Sequence, residues 1–376
     1  FTKESGKMKE LDPYESRIND HERENQGETR KRYSVNWKEK RKREVHRQIF
    51  LLVAVLLILI IVAVLLRLLL TNSGRASSES DDNTAQAKED DEVINMQFEN
   101  ILDDDNAELT ITWDEPIMKS TFETINADLL NCIESLSMDS EEYTTGFLLY
   151  DLNTGGGISY RADEIYYSAS AIKGPYVAWV VQTYPDAAVN MYSNIANAIS
   201  WSSNRDYYIL INTYGKSGFD SWTTEIGCPD VTLSDGSFSA VSARDLTRLW
   251  INIYDYFTSG QENSDTIRDL FVNTEQSYIY ETLGSEYTVY SKAGWLADGD
   301  EAYYNVQNDA GIVMKDDHPY ILVVLSDAYG QNELLGNLVE CLDQAHSSLI
   351  GLDDQNSSDV EGESGTENQI EEENQS

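Results

Sequence analysis

Ser170-Ala171-Ile172-Lys173 sets a hydroxyl and an amine three residues apart. On a helix, positions i and i+3 share a face, so the amine reaches the hydroxyl. A serine hydroxyl is a poor nucleophile until a base takes its proton. Lysine serves as that base when burial or a neighbouring positive potential lowers its pKa. A helix start supplies such a potential, and its unbonded N–H groups suit an oxyanion. Lysine is scarce here: residues 71–376 contain Lys88, Lys119, Lys173, Lys216, Lys292 and Lys315, and only Lys173 follows a serine at this spacing.

Competing chemistries find little support. The four histidines are His21, His46, His318 and His346. No HExxH motif occurs, and no Cys/His spacing suits zinc, so neither a metal nor another cofactor is expected. A Ser-His-Asp triad would need His318, in the turn-like KDDHPY, or His346, on the last helix, and no GxSxG elbow accompanies either. Lysine is the better base candidate.

Two further stretches follow in order: Ser202-Ser203-Asn204 in ISWSSNRDYY, and Lys292-Ala293-Gly294-Trp295 on the strand-like YTVYSKAGW. SxxK, SxN and KxG, in that order and on helix start, loop and strand, resemble the signature set of class A β-lactamases and penicillin-binding proteins. The hairpin-like LLYDLNTGGG ahead of the SxxK adds to the likeness, which covers about residues 118–350. The resemblance implies that Ser170 is the acylated nucleophile and Lys173 takes or relays its proton. It implies that Ser202 passes a proton to the leaving nitrogen and Asn204 hydrogen-bonds the substrate amide. Lys292 would supply positive charge to the cleft, and Gly294 would let substrate backbone approach the strand edge. The N–H groups of Ser170 and Trp295 would form an oxyanion hole.

Three departures stand beside this likeness. The Ser170–Ser202 interval is shorter than is usual in class A enzymes, which predicts a reduced helical subdomain. Ala293 stands where the family carries a hydroxyl that binds the substrate carboxylate. No ExxLN segment precedes the helix SARDLTRLW, so the glutamate that activates the deacylating water is absent; Glu225, Asp230 and Asp235 read as solvated loop carboxylates. The resemblance implies a serine hydrolase acylated at Ser170 by a β-lactam or a D-Ala-D-Ala-like wall peptide. A D,D-peptidase or transpeptidase, and an inactive wall-binding module on the same fold, stay open, as does a surface protein in which the motifs coincide by chance. Tyr166, Tyr167, Tyr303 and Tyr304 read either as a groove lining or, preferably, as strand and core packing.

The elements that must position these residues are legible in part. Thr145–Asp151 (TGFLLYD), the turn 153–157 and a short second strand read as a hairpin. A helix is expected from Ser170, with Pro175 in mild conflict unless it falls in the first turn. Residues 186–257 read as helical, ending in an amphipathic helix that starts at Ser242. Strands are expected at 287–293, 303–306, 309–314 and 320–325, with helices around Cys132 and Cys341 at the two ends. The fold class is therefore α+β: an antiparallel sheet flanked by N- and C-terminal helices, plus the reduced helical subdomain. Cys132 and Cys341 either pair or remain two buried thiols.

Outside this domain, charge and hydropathy are uneven. The sequence has 376 residues and a formal net charge of −39. Residues 1–48 hold 14 Lys+Arg against 10 Asp+Glu, whereas 71–376 hold 12 against 56. Between them lies the apolar run 49–70, broken by Arg67 and long enough to span a bilayer. The positive-inside rule then puts residues 1–48 in the cytoplasm and the rest outside the cell; a cleaved signal peptide is the weaker alternative. The expected plan is a basic cytoplasmic segment (1–48), a transmembrane helix (49–70), an acidic linker (71–117, with a short strand at 109–113), the hydrolase-like domain (118–350) and an acidic tail (351–376). The acidic excess opposes nucleic-acid binding. Phe1 rather than Met opens the sequence, and earlier residues are expected before it.

Overall fold

Thr145–Asp151 is apolar at consecutive positions, as a strand must be when both of its faces are covered. The computed structural model places it at the middle of a seven-stranded sheet, counted among the described residues. Those residues are 93–94, 100–136, 143–297, 302–315 and 317–351. All lie in one of the chain's two units, Asp91–Ser376. The segment 1–48, the apolar run 49–70, most of 71–99 and the tail from 352 lie outside the described residues. No helix among the described residues is long and apolar enough to cross a membrane.

The sheet contains β1 (Thr110–Thr112), β2 (Thr145–Asp151), β3 (Gly157–Tyr160), β4 (Thr288–Ser291), β5 (Gly294–Leu296), β6 (Val306–Met314) and β7 (Tyr320–Ser326). Its order is β1-β3-β2-β7-β6-β4, and β5 also pairs with β6; every pairing is antiparallel. The helices are α1 (Lys119–Ser135), α2 (Lys173–Thr183), α3 (Tyr192–Ser200), α4 (Asn204–Tyr214), α5 (Ser217–Glu225), α6 (Ala243–Thr258), α7 (Tyr278–Leu283) and α8 (Asn332–Leu349), with shorter turns between them.

Side-chain alternation assigns each face its own core. Phe147, Leu149, Leu322 and Val324 face the terminal helices α1 and α8 and the short α7. Leu148, Ile321, Val323 and Leu325 face α2, α6 and the helical layer. The disulfide Cys132–Cys341 joins α1 to α8 across 209 residues of sequence, which decides between the two expected states of those cysteines. The third cysteine, Cys228, is buried and free.

Several expectations change in detail. Residues 100–117, expected as linker with a short strand at 109–113, contribute to the fold: that strand is present as β1 and pairs with β3, and Ile101 and Trp113 are buried. Asp- and Asn-rich neighbours hide Ile101 in the sequence. The expected strand 303–306 is instead a 3-10 turn, Ala302–Tyr304, followed by one continuous strand from Val306 to Met314. The expected strand 287–293 stops at Ser291 and resumes at Gly294, although Lys292 N still donates to Ala310 O. Pro175 is the third residue of α2, inside the first turn, where its missing N–H costs nothing. Ser242 caps α6 in a reciprocal capping box with Asp245.

Candidate active site

Ser170 lies in a single 3-10 turn, Ala169–Ile172, and Lys173 is the first residue of α2. Residues i and i+3 eclipse in a 3-10 turn, and Lys173 N donates to Ser170 O. Ser170 is half-buried, while Lys173 is wholly buried. Ala169, just before the serine, has φ of 45°, in the left-handed region. Such a conformation costs a non-glycine residue about 1–3 kcal/mol and persists only where its surroundings impose it.

Those surroundings are visible. Ser168 N donates to Ser239 O. Asn308 Nδ2, from buried β6, donates to Tyr167 O at 2.8 Å, while Ser326 N donates to Asn308 Oδ1 at 3.3 Å. Gly294 brings β5 against the same turn. A Cβ at 294 would lie 2.3 Å from Ala171 N, 2.4 Å from Ser168 O and 2.8 Å from Ser170 N. Gly294 was expected to admit substrate backbone; in the structure its missing side chain lets strand and turn touch. Trp295, next along β5, is half-buried and pairs with Gln307.

Ser202 sits between α3 and α4 with φ of 54°, a second left-handed non-glycine residue. Both lysines converge on it. Lys173 Nζ donates to Ser202 O at 2.6 Å and to Asn204 Oδ1 at 2.6 Å. Lys292 Nζ donates to Ser202 Oγ at 3.1 Å and to Ala293 O at 2.7 Å. The intervening Ser203 is a helix cap: its side chain accepts from Asp206 N. The structure thus brings Lys173, Ser202, Asn204 and Lys292 into direct contact, with Ser170 one turn before Lys173 and Gly294 packed on its turn.

The electrostatics follow from burial. Lys292 is wholly buried, and desolvation pulls its pKa down to about 8 although the charges of Asp309 and Glu275 oppose the fall. Its ammonium lies 5.6 Å from the centre of the Trp295 ring. Lys173 Nζ lies 5.6 Å from the Tyr207 ring and 5.8 Å from that of Phe238. Cation–π attraction to Trp295 favours the ammonium form of Lys292.

Sequence reasoning missed Asn308, Tyr207 and Phe238. Asn308 had a signal: Gln307-Asn308-Asp309 is a polar triplet inside an otherwise apolar strand. The two rings had none, since aromatic residues at these spacings read as core. The expected packing role of the tyrosines fits the structure. Tyr166 and Tyr304 are buried, and the Tyr167 ring lies 4.9 Å from Tyr304 and 6.1 Å from Tyr303.

Residues 185–340 match the model of the family described as "Beta-lactamase enzyme family". A class A β-lactamase of Bacteroides cellulosilyticus superposes with a TM-score of 0.50 at 15% identity, covering 60% of this chain and 99% of that one. The fold of this domain is β-lactamase-like. A β-lactamase of Streptosporangium roseum (15% identity, 60% of this chain, 99% of that one, TM-score 0.49) and PBP-A (17%, 59%, 96%, 0.49) are also similar. No curated protein matches the chain. At these identities the structural likeness concerns the fold.

The departures noted in the sequence can be placed in the structure. Ala293 is fully buried and carries no hydroxyl. Glu225, Asp230 and Asp235 are exposed. The two histidines lie elsewhere: His346 Nε2 is 2.9 Å from Asp151 Oδ2 and His318 Nδ1 is 3.5 Å from it, at the β2 end packed beside α8. Among the described residues, no group of three or more His, Cys, Asp or Glu could hold a metal ion.

Proposed function

We propose that this protein is an extracytoplasmic serine hydrolase of the β-lactamase type, acylated at Ser170 by a β-lactam or a D-Ala-D-Ala-like peptide and held to the membrane by the run 49–70. The observation that carries this reading is the convergence of Lys173 and Lys292 on Ser202, one from the segment before it in sequence and one from the segment after it. Ser170 Oγ attacks the carbonyl carbon of the scissile amide. In this reading Lys173, at the end of the turn that begins with Ser170, takes the hydroxyl proton as the new C–O bond forms. The C–N bond then breaks, and Ser202 Oγ gives the leaving nitrogen its proton, which the Lys292 ammonium, 3.1 Å from that oxygen, replaces. Lys292 favours a substrate carboxylate, and Asn204 orients the substrate amide. The N–H groups of Ser170 and Trp295 serve the oxyanion; losing one such donor typically costs about 100- to 1000-fold in rate.

Deacylation is slow in this reading, because the sequence lacks the water-activating glutamate and the carboxylates near its expected place are exposed. A peptidase or transpeptidase that outlasts its β-lactam as an acyl-enzyme fits this better than an efficient β-lactamase. A fluorescent penicillin tests the proposal: it labels the wild-type protein and fails to label Ser170→Ala. Absence of labelling at any concentration would favour an inactive wall-binding module. Nitrocefin then separates the enzymatic readings, with persistent acyl-protein by intact mass expected and brisk turnover contradicting the slow-deacylation argument.

A further inference from the structure

The polar triplet in β6 is only partly accounted for by Asn308. Asp309 is fully buried beside it, in the middle of the sheet. An isolated carboxylate there would be costly, so its partners matter. Its Oδ2 accepts from Ser277 Oγ at 2.7 Å and from Ile279 N at 3.0 Å, and its Oδ1 accepts from Ala310 N at 3.0 Å. Ser277 Oγ in turn lies 2.7 Å from Ser291 Oγ. With its own proton given to Asp309, Ser277 accepts from Ser291. Thr274 Oγ1 holds the Ser291 carbonyl at 3.0 Å. Ser291 immediately precedes Lys292.

The chain of bonds Asp309–Ser277–Ser291 therefore ends one peptide away from the cleft lysine. All three residues are essentially buried, so no solvent competes for these groups. Pairing of Ser291 with Gly311, and donation from Lys292 N to Ala310 O, put Ser291 and Asp309 on one face of the sheet and Lys292 on the other. We propose that Asp309 is a positioning residue for Lys292: it is the buried counter-charge that keeps this lysine an ammonium near neutral pH, and through Ser277 and Ser291 it fixes the strand from which the lysine projects.

The charged and polar groups around the lysine are few. Ser202 Oγ, the Ala293 carbonyl and the Trp295 ring touch it. Lys173 approaches the same Ser202 from its carbonyl side. Asp309 and Glu275 act on it through space. Around Asp309, the buried Tyr278 also feels the carboxylate's charge. Burial pushes Asp309 up to about 7, with its hydrogen bonds and Lys292 opposing. The two groups thus titrate in adjoining ranges, and each supports the charged form of the other.

Asp309→Asn tests this, because the amide keeps an acceptor and loses the charge. The side chains of lysine labelled with 13C at Cε are followed by NMR against pH, and Lys292→Arg identifies the Lys292 signal. The Lys292 midpoint is expected to fall by about one pH unit in Asp309→Asn. Ser277→Ala, which removes one donor to the carboxylate and so favours its neutral form, is expected to shift it the same way by less. If Asp309→Asn fails to fold, Ser277→Ala carries the test. A midpoint unchanged to within about 0.2 unit in the folded variants overturns the proposal. The catalytic consequence rests on the function proposed above: the basic limb of penicillin acylation should move down with the midpoint. A wild-type protein that takes no penicillin refutes that function while leaving the NMR result to decide the role of Asp309.

Discussion

Gly294→Ala is the most discriminating single change. An alanine Cβ would meet three backbone atoms, at 2.3, 2.4 and 2.8 Å, where ordinary contact begins at 3.4 Å. None of the three belongs to a flexible side chain, so β5 and the Ser168–Ala171 turn must separate by about 1 Å. A displacement of that size in a reacting group costs about 100-fold in rate. Overpacking at a buried contact costs about 2 kcal/mol, which at this domain size lowers Tm by about 4–8 °C. The assay is the second-order rate of acylation by a fluorescent penicillin, followed by stopped flow, with circular dichroism and a thermal melt on the same samples. If the glycine served only to admit substrate, the rate would fall while Tm stayed at the wild-type value. A folded variant with wild-type Tm therefore refutes the packing argument, and one that also acylates within a few-fold of wild type refutes any special need for glycine here.

Lys173→Ala should stay folded by circular dichroism yet lose at least about 100-fold in acylation rate, the usual worth of a positioned base; a rate within ten-fold of wild type would remove Lys173 from the chemistry. Mass mapping without reductant should recover Cys132 and Cys341 as one linked peptide pair. Cys132→Ser with Cys341→Ser should then lose about 5 kcal/mol in denaturant melts, given the long loop the bond closes. Burial depresses the pKa of His346 below 6.5, although its hydrogen bond to Asp151 opposes the shift. The unfolded chain therefore binds the proton first, and this histidine's contribution to stability falls as pH drops below about 6.5. Asp309, raised by burial, acts in the opposite sense up to about 7. The comparison that isolates the histidine is the pH dependence of Tm in wild type against His346→Asn: the variant should lose less on acidification from pH 7 to 5, and parallel curves would contradict the argument.

What the sequence determined was local. Backbone geometry turns a run such as TGFLLYD into a two-faced strand and a capped amphipathic pattern into the helix from Ser242, so these elements were legible residue by residue. The order SxxK, SxN, KxG was legible too, because each motif occupies only a few consecutive positions. Tertiary structure alone decided which atoms meet. Lys173 holds the Ser202 carbonyl 29 residues away, and Lys292 reaches the Ser202 hydroxyl across 90. The same holds for Gly294, whose need for no side chain comes from a turn more than 120 residues earlier, and for Ile101, whose acidic neighbours disguised it as linker. Contacts between distant segments depend on how two cores pack against one sheet, and no periodicity along the chain encodes that distance.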